Sequence, residues 1–216
     1  MRNLLLPALA LSVGLAACNS SNSNGSTSAS VSDASPTPMI AELGSMAPNF
    51  TLKDLAGNDV ELSDFRGKTV VLEWFNPQCP YVVYAYEDGP LGDMAARCAD
   101  KDIVWLSINS GAPGMQGTGM DVNKNAFDGW NMKSHVLFDE SGEVGQMYKA
   151  KTTPHMFVVD AKGMLVYQGA LDNAPRGRTQ GSYTNYVEAA LMDIEKGRPI
   201  AMDDTKPYGC SVKYAK

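Results

Sequence analysis

The sequence predicts an α/β fold in which a central mixed β-sheet is flanked by helices and preceded by an N-terminal β-hairpin. Three patterns predict this class. Short apolar runs typical of strands alternate with helical stretches from Thr69 to Tyr148, which favours parallel strands joined by right-handed crossovers. Met156–Val159 and Met164–Tyr167 form a strand pair joined by a tight turn. A closing helix follows, with a single apolar stripe.

The elements before this strand pair follow from local patterns. Phe50–Leu52 and Val60–Leu62 flank a turn-rich stretch and predict the N-terminal hairpin. The helical stretch Cys79–Ala99 is expected to break at Gly89-Pro90, because proline disfavours helical geometry in the residue before it. The other predicted elements are a helical turn at Ser63–Gly67, a strand at Thr69–Phe75, a strand at Ile103–Ile108, a helix at Asp121–Met132, a strand at Val136–Phe138 and a helical turn at Glu143–Tyr148.

The closing helix carries the most regular signal. Ser182 is expected to cap its start, and Lys196, Gly197 and Pro199 form a stop signal. Between them, apolar residues recur at helical spacing: Tyr183, Tyr186, Val187, Ala190, Leu191 and Ile194.

Composition limits the classes of function. The chain has 216 residues, 44% of them hydrophobic, which suffices for one folded domain with appendages. Its formal net charge of −6 has the wrong sign for neutralising phosphates, so no nucleic-acid partner is expected. Four cysteines are too few for a disulfide-rich scaffold, and two histidines leave little for a metal site.

The first 40 residues predict a lipid-anchored tether. A positive start followed by the apolar run Leu4–Leu15 predicts a signal peptide over residues 1–17. Leu15-Ala16-Ala17-Cys18 resembles a bacterial lipobox, in which cleavage leaves Cys18 as the lipid-modified N-terminus. Residues 18–40 are rich in Ser and Asn and predict a disordered tether. We therefore expect an extracytoplasmic bacterial membrane lipoprotein on the periplasmic side, where disulfides persist.

Cys79 is the candidate nucleophile. The strand predicted to end at Phe75 leads through a short turn to Cys79, which begins the next helix. At a helix start, free N–H groups and the helix dipole favour a thiolate over a thiol. Pro80 fits this placement because its missing N–H costs nothing in the first helical turn.

A distant Thr153-Pro154 precedes a later strand. Together with Cys79-Pro80 at a helix start, this pattern resembles the thioredoxin superfamily, and more narrowly the redoxin and alkyl-hydroperoxide-reductase-like (AhpC/TSA) group of envelope proteins. The resemblance implies a thioredoxin-like domain over residues 47–197 and a C-terminal tail over 198–216. It also implies that Pro154 is cis and faces Cys79, and that Pro80, Thr153 and Pro154 bind substrate, with Thr153 pairing with a partner's extended chain.

Glu73 is a second catalytic candidate. It lies six residues before Cys79, where thioredoxins carry a buried acid. A carboxyl group in an apolar strand should have a raised pKa and could act as general acid or base.

Three motifs of the wider family are missing. Val82 replaces the second thioredoxin cysteine, and Val83 replaces that of copper-delivery relatives. Asn76 and Leu72 stand where peroxiredoxins carry Thr/Ser and Pro. The sequence therefore predicts no metal site and no cofactor, and the last departure argues against peroxidase activity.

A resolving thiol would have to come from Cys98 or Cys210. Along a continuous helix Cys98 would lie roughly 28 Å from Cys79, and we interpret it as a packed apolar side chain. Cys210 lies in the segment Pro207–Tyr214, which resembles a C-terminal cysteine motif of redoxin-like envelope proteins. That resemblance implies a Cys79–Cys210 disulfide; a Cys98–Cys210 bond or a free Cys210 remains an alternative.

The predicted function is thiol–disulfide exchange of the thioredoxin/redoxin type, with Cys79, Cys210 and Glu73 as catalytic residues. An envelope thiol/disulfide protein would be its electron donor or substrate. One alternative is a peroxiredoxin-like thiol peroxidase with a hydroperoxide as substrate. The other is a catalytically inert thioredoxin-fold binding module in which a Cys79–Cys210 bond is only a staple.

Overall fold

The computed structural model describes residues 39–179 and 181–216. The predicted signal peptide (residues 1–17), the lipidation site Cys18 and nearly all of the predicted tether (18–40) lie outside the described residues. The folded part extends beyond the predicted domain (residues 47–197) at both ends. The Ala41 N–H donates to the Met147 carbonyl, and residues well past 197 also form hydrogen bonds with the domain. Within the described residues, no helix has the length and apolar character needed to cross a bilayer.

The described residues form nine strands and five α-helices. The strands are β1 (Thr51–Asp54), β2 (Asp59–Glu61), β3 (Val70–Trp74), β4 (Val104–Asn109), β5 (His135–Phe138), β6 (Thr152–Thr153), β7 (His155–Val159), β8 (Leu165–Gly169) and β9 (Cys210–Ser211). The helices are α1 (Pro80–Glu87), α2 (Leu91–Ala99), α3 (Met120–Gly129), α4 (Glu143–Met147) and α5 (Tyr186–Glu195).

A seven-stranded mixed sheet forms the centre of the domain, in the order β2-β1-β5-β4-β3-β7-β8. The middle strands β3, β4 and β5 are parallel, and the remaining neighbours are antiparallel. The predicted α/β class, the N-terminal hairpin and the β7–β8 hairpin are confirmed. The predicted break in the first helical stretch is also confirmed, because α1 ends at Glu87 and α2 begins directly after Pro90.

Both faces of the sheet are covered by apolar side chains. Successive residues of a strand point to opposite faces, and β3 shows this directly. Val70, Leu72 and Trp74 belong to one buried cluster, whereas Val71 belongs to a second cluster that includes residues of α1, α2 and α5. Glu73 has the same parity as Val71, so it points to the face that α1 covers.

The start of the closing helix differs from the prediction. The expectation that Ser182 caps it is wrong: α5 begins at Tyr186, and the side chain of Asn185 accepts a hydrogen bond from the Glu188 N–H at 3.0 Å. Tyr183, expected in the apolar stripe, lies before the helix and is 53% exposed. An Asn cap three residues before Glu188 satisfies a free helical N–H that Ser182 is too far back in the chain to reach.

The tail returns across the domain after α5. The Gln168 N–H donates to the Asp203 carbonyl at 2.9 Å, and the Thr205 N–H donates to the Gln168 carbonyl at 3.1 Å, which places this segment along β8. The chain then reaches β6, with which β9 forms a separate two-stranded antiparallel sheet. The tail is thus part of the folded structure on both sides of Cys210.

Candidate active site

A short turn carries the chain from β3 to α1. The backbone carbonyl of Asn76 accepts a hydrogen bond from the Cys79 N–H at 3.0 Å. The side-chain oxygen of Asn76 accepts a second from the Gln78 N–H at 2.8 Å. The side-chain amide of Asn76 donates to the Gln116 carbonyl at 2.8 Å. Gln78 binds the same glycine-rich loop by accepting from the Gly117 N–H at 2.9 Å. This turn therefore presents Cys79 in a defined position directly before α1.

Cys79 is the N-cap residue of α1, and Pro80 occupies the first helical turn. The side chain of Cys79 is fully buried. The thiol donates a hydrogen bond to the Thr153 carbonyl at 3.1 Å. The Thr153–Pro154 peptide bond is cis, as the resemblance implied. The structure thus brings Cys79, Pro80, Thr153 and Pro154 together, although they are far apart in sequence.

The tail covers this site. Cys210 pairs with Thr153 and Ser211 with Thr152 in antiparallel register. The preceding Gly209 has a φ of +136°, and a Cβ there would lie 2.1 Å from the Thr153 carbonyl oxygen. Only glycine permits so close an approach. The backbone edge that the resemblance assigned to a partner's chain is therefore occupied by the protein's own tail.

The two thiols of the site have opposite pKa shifts. Burial raises the pKa of Cys79, but hydrogen bonding with the Cys210 thiol and with the backbone at Val82 more than offsets this, so its pKa is lowered. Burial and the neighbouring Cys79 raise the pKa of Cys210 to about 11. Both are free thiols in this structure. Cys79 is thus the more acidic thiol of the pair, and Cys210 is the less acidic one.

Cys98 and His155 have environments unlike that of Cys79. Cys98 is a residue of α2 whose side chain is buried in the apolar cluster, and burial raises its pKa to about 11. This agrees with its interpretation as a packed side chain. Burial lowers the pKa of His155 to about 3, and its Nδ1 accepts from the Lys151 N–H at 3.2 Å. His155 is therefore a neutral structural side chain.

Glu73 is fully buried beneath α1. Its Oε2 atom accepts from the Tyr86 hydroxyl at 2.8 Å and the Trp105 indole N–H at 2.9 Å, and lies 3.0 Å from the Ser107 hydroxyl. Its Oε1 atom has no hydrogen-bond partner within the described part of the chain. Burial raises the pKa of Glu73 despite these donors. Its hydrogen bonds lead to Tyr86 and the sheet rather than to Cys79.

Sequence reasoning missed the residues that hold the site together. Asn76 was considered only as a departure from a peroxide-binding motif, yet it closes the turn before Cys79. Gly209 and Tyr208 stand immediately before Cys210, and Tyr208 donates to the buried Asp172 at 2.5 Å. The aromatic–Gly–Cys order in the tail was the available signal. For Asp172 the sequence offers none, because it lies in an irregular segment after β8.

A cysteine that begins the helix after a parallel strand and faces a cis-proline turn is the arrangement of a thioredoxin-fold protein. The sequence model of the AhpC/TSA family matches residues 43–168, more than half of the chain, and this protein belongs to that family.

Similar proteins agree with this assignment. The thiol-disulfide oxidoreductase ResA of Bacillus thuringiensis is 26% identical over 134 residues, 59% of this chain and 69% of ResA. A conserved protein of Geobacillus kaustophilus is 26% identical with a TM-score of 0.74, covering 82% of this chain and 94% of that chain. An exposed lipoprotein thioredoxin of Streptococcus pneumoniae is 25% identical with a TM-score of 0.51, covering 69% and 99%. The predicted thioredoxin-like fold is confirmed.

The raised pKa of Glu73 predicts how stability depends on pH. A group that holds its proton more tightly when folded makes stability fall as pH rises above its unfolded pKa. Relative to Glu73→Gln, we expect the wild-type free energy of unfolding to decline from pH about 4.5 upward, measured by urea unfolding of the reduced protein.

The matched control is Glu61→Gln. Hydrogen bonds from Ser63 and Asn49 lower the pKa of Glu61. Its contribution should therefore have the opposite direction, as stability gained while pH rises up to about 4.5. Parallel pH profiles for wild type and Glu73→Gln would contradict the raised pKa.

The hydrogen bond from Cys210 predicts a shift in the reactivity of Cys79. Removing the donor with Cys210→Ala should move the midpoint of the alkylation rate of Cys79 by iodoacetamide to higher pH, because the thiolate loses a stabilising partner. Cys210→Ser keeps a donor of similar size and should give a smaller shift. The alkylated peptide is identified by mass spectrometry. Equal midpoints in the two variants would contradict this role of Cys210.

Proposed function

We propose that this protein catalyses thiol–disulfide exchange through Cys79, with Cys210 as the resolving thiol. Its class, a thiol-dependent oxidoreductase of the thioredoxin type, is confirmed by the family match and by the oxidoreductases among its relatives. One observation carries the assignment of residues: the strand that contains Cys210 pairs with Thr153, whose carbonyl binds the thiol of Cys79. Two cysteines 131 positions apart, 79 and 210, thereby share one site.

The reaction proceeds in two exchanges. The Cys79 thiolate attacks a disulfide of the partner, forming a mixed disulfide and releasing one partner thiolate. Cys210 then attacks the Cys79 sulfur, which releases the second partner thiolate and leaves a Cys79–Cys210 disulfide. The partner gains two electrons and the protein loses two. A thiol protein, the electron donor, restores both thiols by the reverse exchange.

The partner's chain would dock on the edge that the tail occupies. Thr153 and the cis Pro154 present this edge beside Cys79, and Pro80 borders it at the start of α1. An extended peptide that carries a cysteine can replace β9 there by pairing with Thr153. Glu73, buried with a raised pKa beneath the same helix, is proposed as the group that exchanges protons with the site.

The location of the protein in the cell is also a proposal. Residues 1–17 have the pattern of a signal peptide, Cys18 follows a lipobox-like segment, and residues 18–40 have the polar composition of a tether. The similarity to a pneumococcal exposed lipoprotein thioredoxin supports this assignment. We infer a membrane-anchored, extracytoplasmic enzyme on the periplasmic side, acting on envelope thiol/disulfide proteins.

A test of the anchor uses Cys18→Ser in a bacterial host. Wild-type protein should sediment with membranes and require detergent for release, whereas the variant should appear in the soluble fraction because it lacks the lipidated residue. Cys98→Ser serves as the control for cysteine replacement and should remain with membranes. An unchanged distribution of the Cys18→Ser protein would contradict lipidation at this residue.

Hydroperoxide reduction is the second candidate function, favoured by the AhpC/TSA match itself. In that reaction the Cys79 thiolate would attack the peroxide, giving a sulfenic acid and an alcohol, and Cys210 would displace water to form the same disulfide. The side chain of Asn76 is engaged by the turn and by Gln116, in the place where peroxiredoxins carry Thr/Ser. We therefore rank disulfide exchange first.

One single-turnover experiment separates the candidates. Reduced protein with Cys18→Ser is mixed with oxidised glutathione or with hydrogen peroxide, and the products are mapped by mass spectrometry. We expect reaction with the disulfide, ending in a Cys79–Cys210 bond. Cys79→Ser should abolish it, Cys210→Ser should stop at glutathione on Cys79, and Cys98→Ser should leave it intact.

Other outcomes overturn parts of the proposal. Faster consumption of peroxide than of disulfide, with the same final bond, would promote the peroxidase. A wild-type rate no higher than that of Cys79→Ser with either oxidant would indicate an inert binding module. A Cys98–Cys210 bond in the product would remove Cys210 as the resolving thiol.

A further inference from the structure

The tail is attached to the domain on both sides of Cys210. Before it, the Thr205 hydroxyl accepts from the Ala170 N–H at 2.9 Å. After it, the Val212 N–H donates to the Lys151 carbonyl at 3.2 Å, and the Ala112 N–H donates to the Lys213 carbonyl at 2.8 Å. The Tyr214 hydroxyl donates to the Ala150 carbonyl at 2.9 Å. Cys210 therefore lies in a strap with two attached ends rather than on a loose chain.

Tyr208 makes the attachment nearest to Cys210 on the upstream side. Its hydroxyl donates to Asp172 Oδ1 at 2.5 Å, and its ring lies against that of Tyr81, with centroids 5.9 Å apart. Tyr81 is in the first turn of α1, two residues after Cys79. Tyr208 is thus separated from Cys210 by one residue, and its ring packs beside the helix that begins directly after Cys79.

Asp172 is built into the domain as an acceptor. It is buried, with 3% of its surface exposed. Its Oδ1 atom also accepts from the Ala174 N–H at 2.8 Å, and Oδ2 accepts from the Tyr183 hydroxyl at 3.3 Å. A buried carboxylate held by these donors offers Tyr208 a fixed acceptor, and hydrogen bonds to charged acceptors are stronger than neutral ones.

We propose that Asp172 is a positioning residue that acts through Tyr208 to hold Cys210 against Cys79. This inference rests on the proposed function of Cys210 as the resolving thiol. Positioning raises the effective concentration of the Cys210 thiol at the Cys79 sulfur, so that resolution is fast once a mixed disulfide has formed.

The same hydrogen bond slows the first step. Cys79 is fully buried while β9 is paired with Thr153, so an incoming disulfide reaches it only when the tail moves away. If the hydrogen bond between Tyr208 and Asp172 were weaker, the tail would leave Cys79 exposed more often, and Cys210 would lie beside Cys79 less often. The contact between Tyr208 and Asp172 therefore sets the balance between attack on the partner and its release. A purely structural contact would not change these two steps in opposite directions.

The test uses 5,5′-dithiobis(2-nitrobenzoate), an aromatic disulfide that reports each exchange by colour. Attack by the Cys79 thiolate releases one nitrothiobenzoate and leaves the other bound to Cys79. Attack by Cys210 on Cys79 releases the second and forms the internal disulfide, so two thiols are oxidised and one reagent molecule yields two thiolates. The full chain carries Cys18→Ser and Cys98→Ala so that only Cys79 and Cys210 report.

The informative variant is Tyr208→Phe, which removes one hydroxyl and keeps the ring beside Tyr81. In stopped flow, we expect the second release to slow by about tenfold, as for the loss of a hydrogen bond to a charged acceptor, and the first release to become faster. Asp172→Asn should change both rates in the same directions. Tyr183→Phe removes the other phenol on the same carboxylate, outside the tail, and should leave both rates near those of the parent.

The outcomes distinguish this inference from the proposed function. If the parent protein releases only one nitrothiobenzoate, Cys210 does not resolve and the proposed function fails. If the parent releases two but Tyr208→Phe matches it in both phases, only the positioning role fails. Slowing of both phases together, or equal effects of Tyr183→Phe, would show general destabilisation and would also overturn the positioning role.

Discussion

The active site depends on one backbone interaction, the antiparallel pairing of Cys210 with Thr153. The Thr153 carbonyl binds the Cys79 thiol at 3.1 Å, and the neighbouring peptide bond to Pro154 is cis. When the tail pairs with this edge, it buries Cys79 and supplies it with a second thiol. Gly209 is essential to this arrangement because no side chain fits between it and the Thr153 carbonyl. The burial of Cys79 and the position of Cys210 are therefore coupled through a single strand.

The electrostatics of the site favour an ordered division of roles. Burial alone would keep both thiols protonated. Cys79 lies at the start of α1, where it receives hydrogen bonds that lower its pKa, whereas the proximity of Cys79 adds to burial in raising the pKa of Cys210 to about 11. Of the two thiols, Cys79 therefore loses its proton more readily. In the proposed reaction, the pKa of Cys210 would fall once Cys79 is in a mixed disulfide, because the neighbouring Cys79 is one of the causes that raise it.

Sequence reasoning succeeded where the signal was local. The two hairpins and the break between α1 and α2 follow from alternation and from Gly89-Pro90, and the order of strands and helices predicted the mixed sheet. It failed at the start of the closing helix, where Asn185 rather than Ser182 caps α5. Likewise, the pattern around Cys79 indicated a nucleophile, but nothing in it showed that Asn76 and Gln78 bind the glycine-rich loop.

By itself, the sequence determined the class of fold and the helix that begins directly after Cys79, because these rest on the periodicity and turn signals of adjacent residues. The cis Thr153–Pro154 bond and the burial of Glu73 were expected from the family resemblance. The tertiary structure alone decided that β9 of the tail pairs with Thr153 and that Asp172 accepts a hydrogen bond from Tyr208. Contacts between residues far apart in sequence depend on how the sheet directs distant segments to one edge, which no local pattern encodes. The path of the chain beyond α5 is such a case, since Cys210 pairs with a strand more than 50 residues earlier in the sequence.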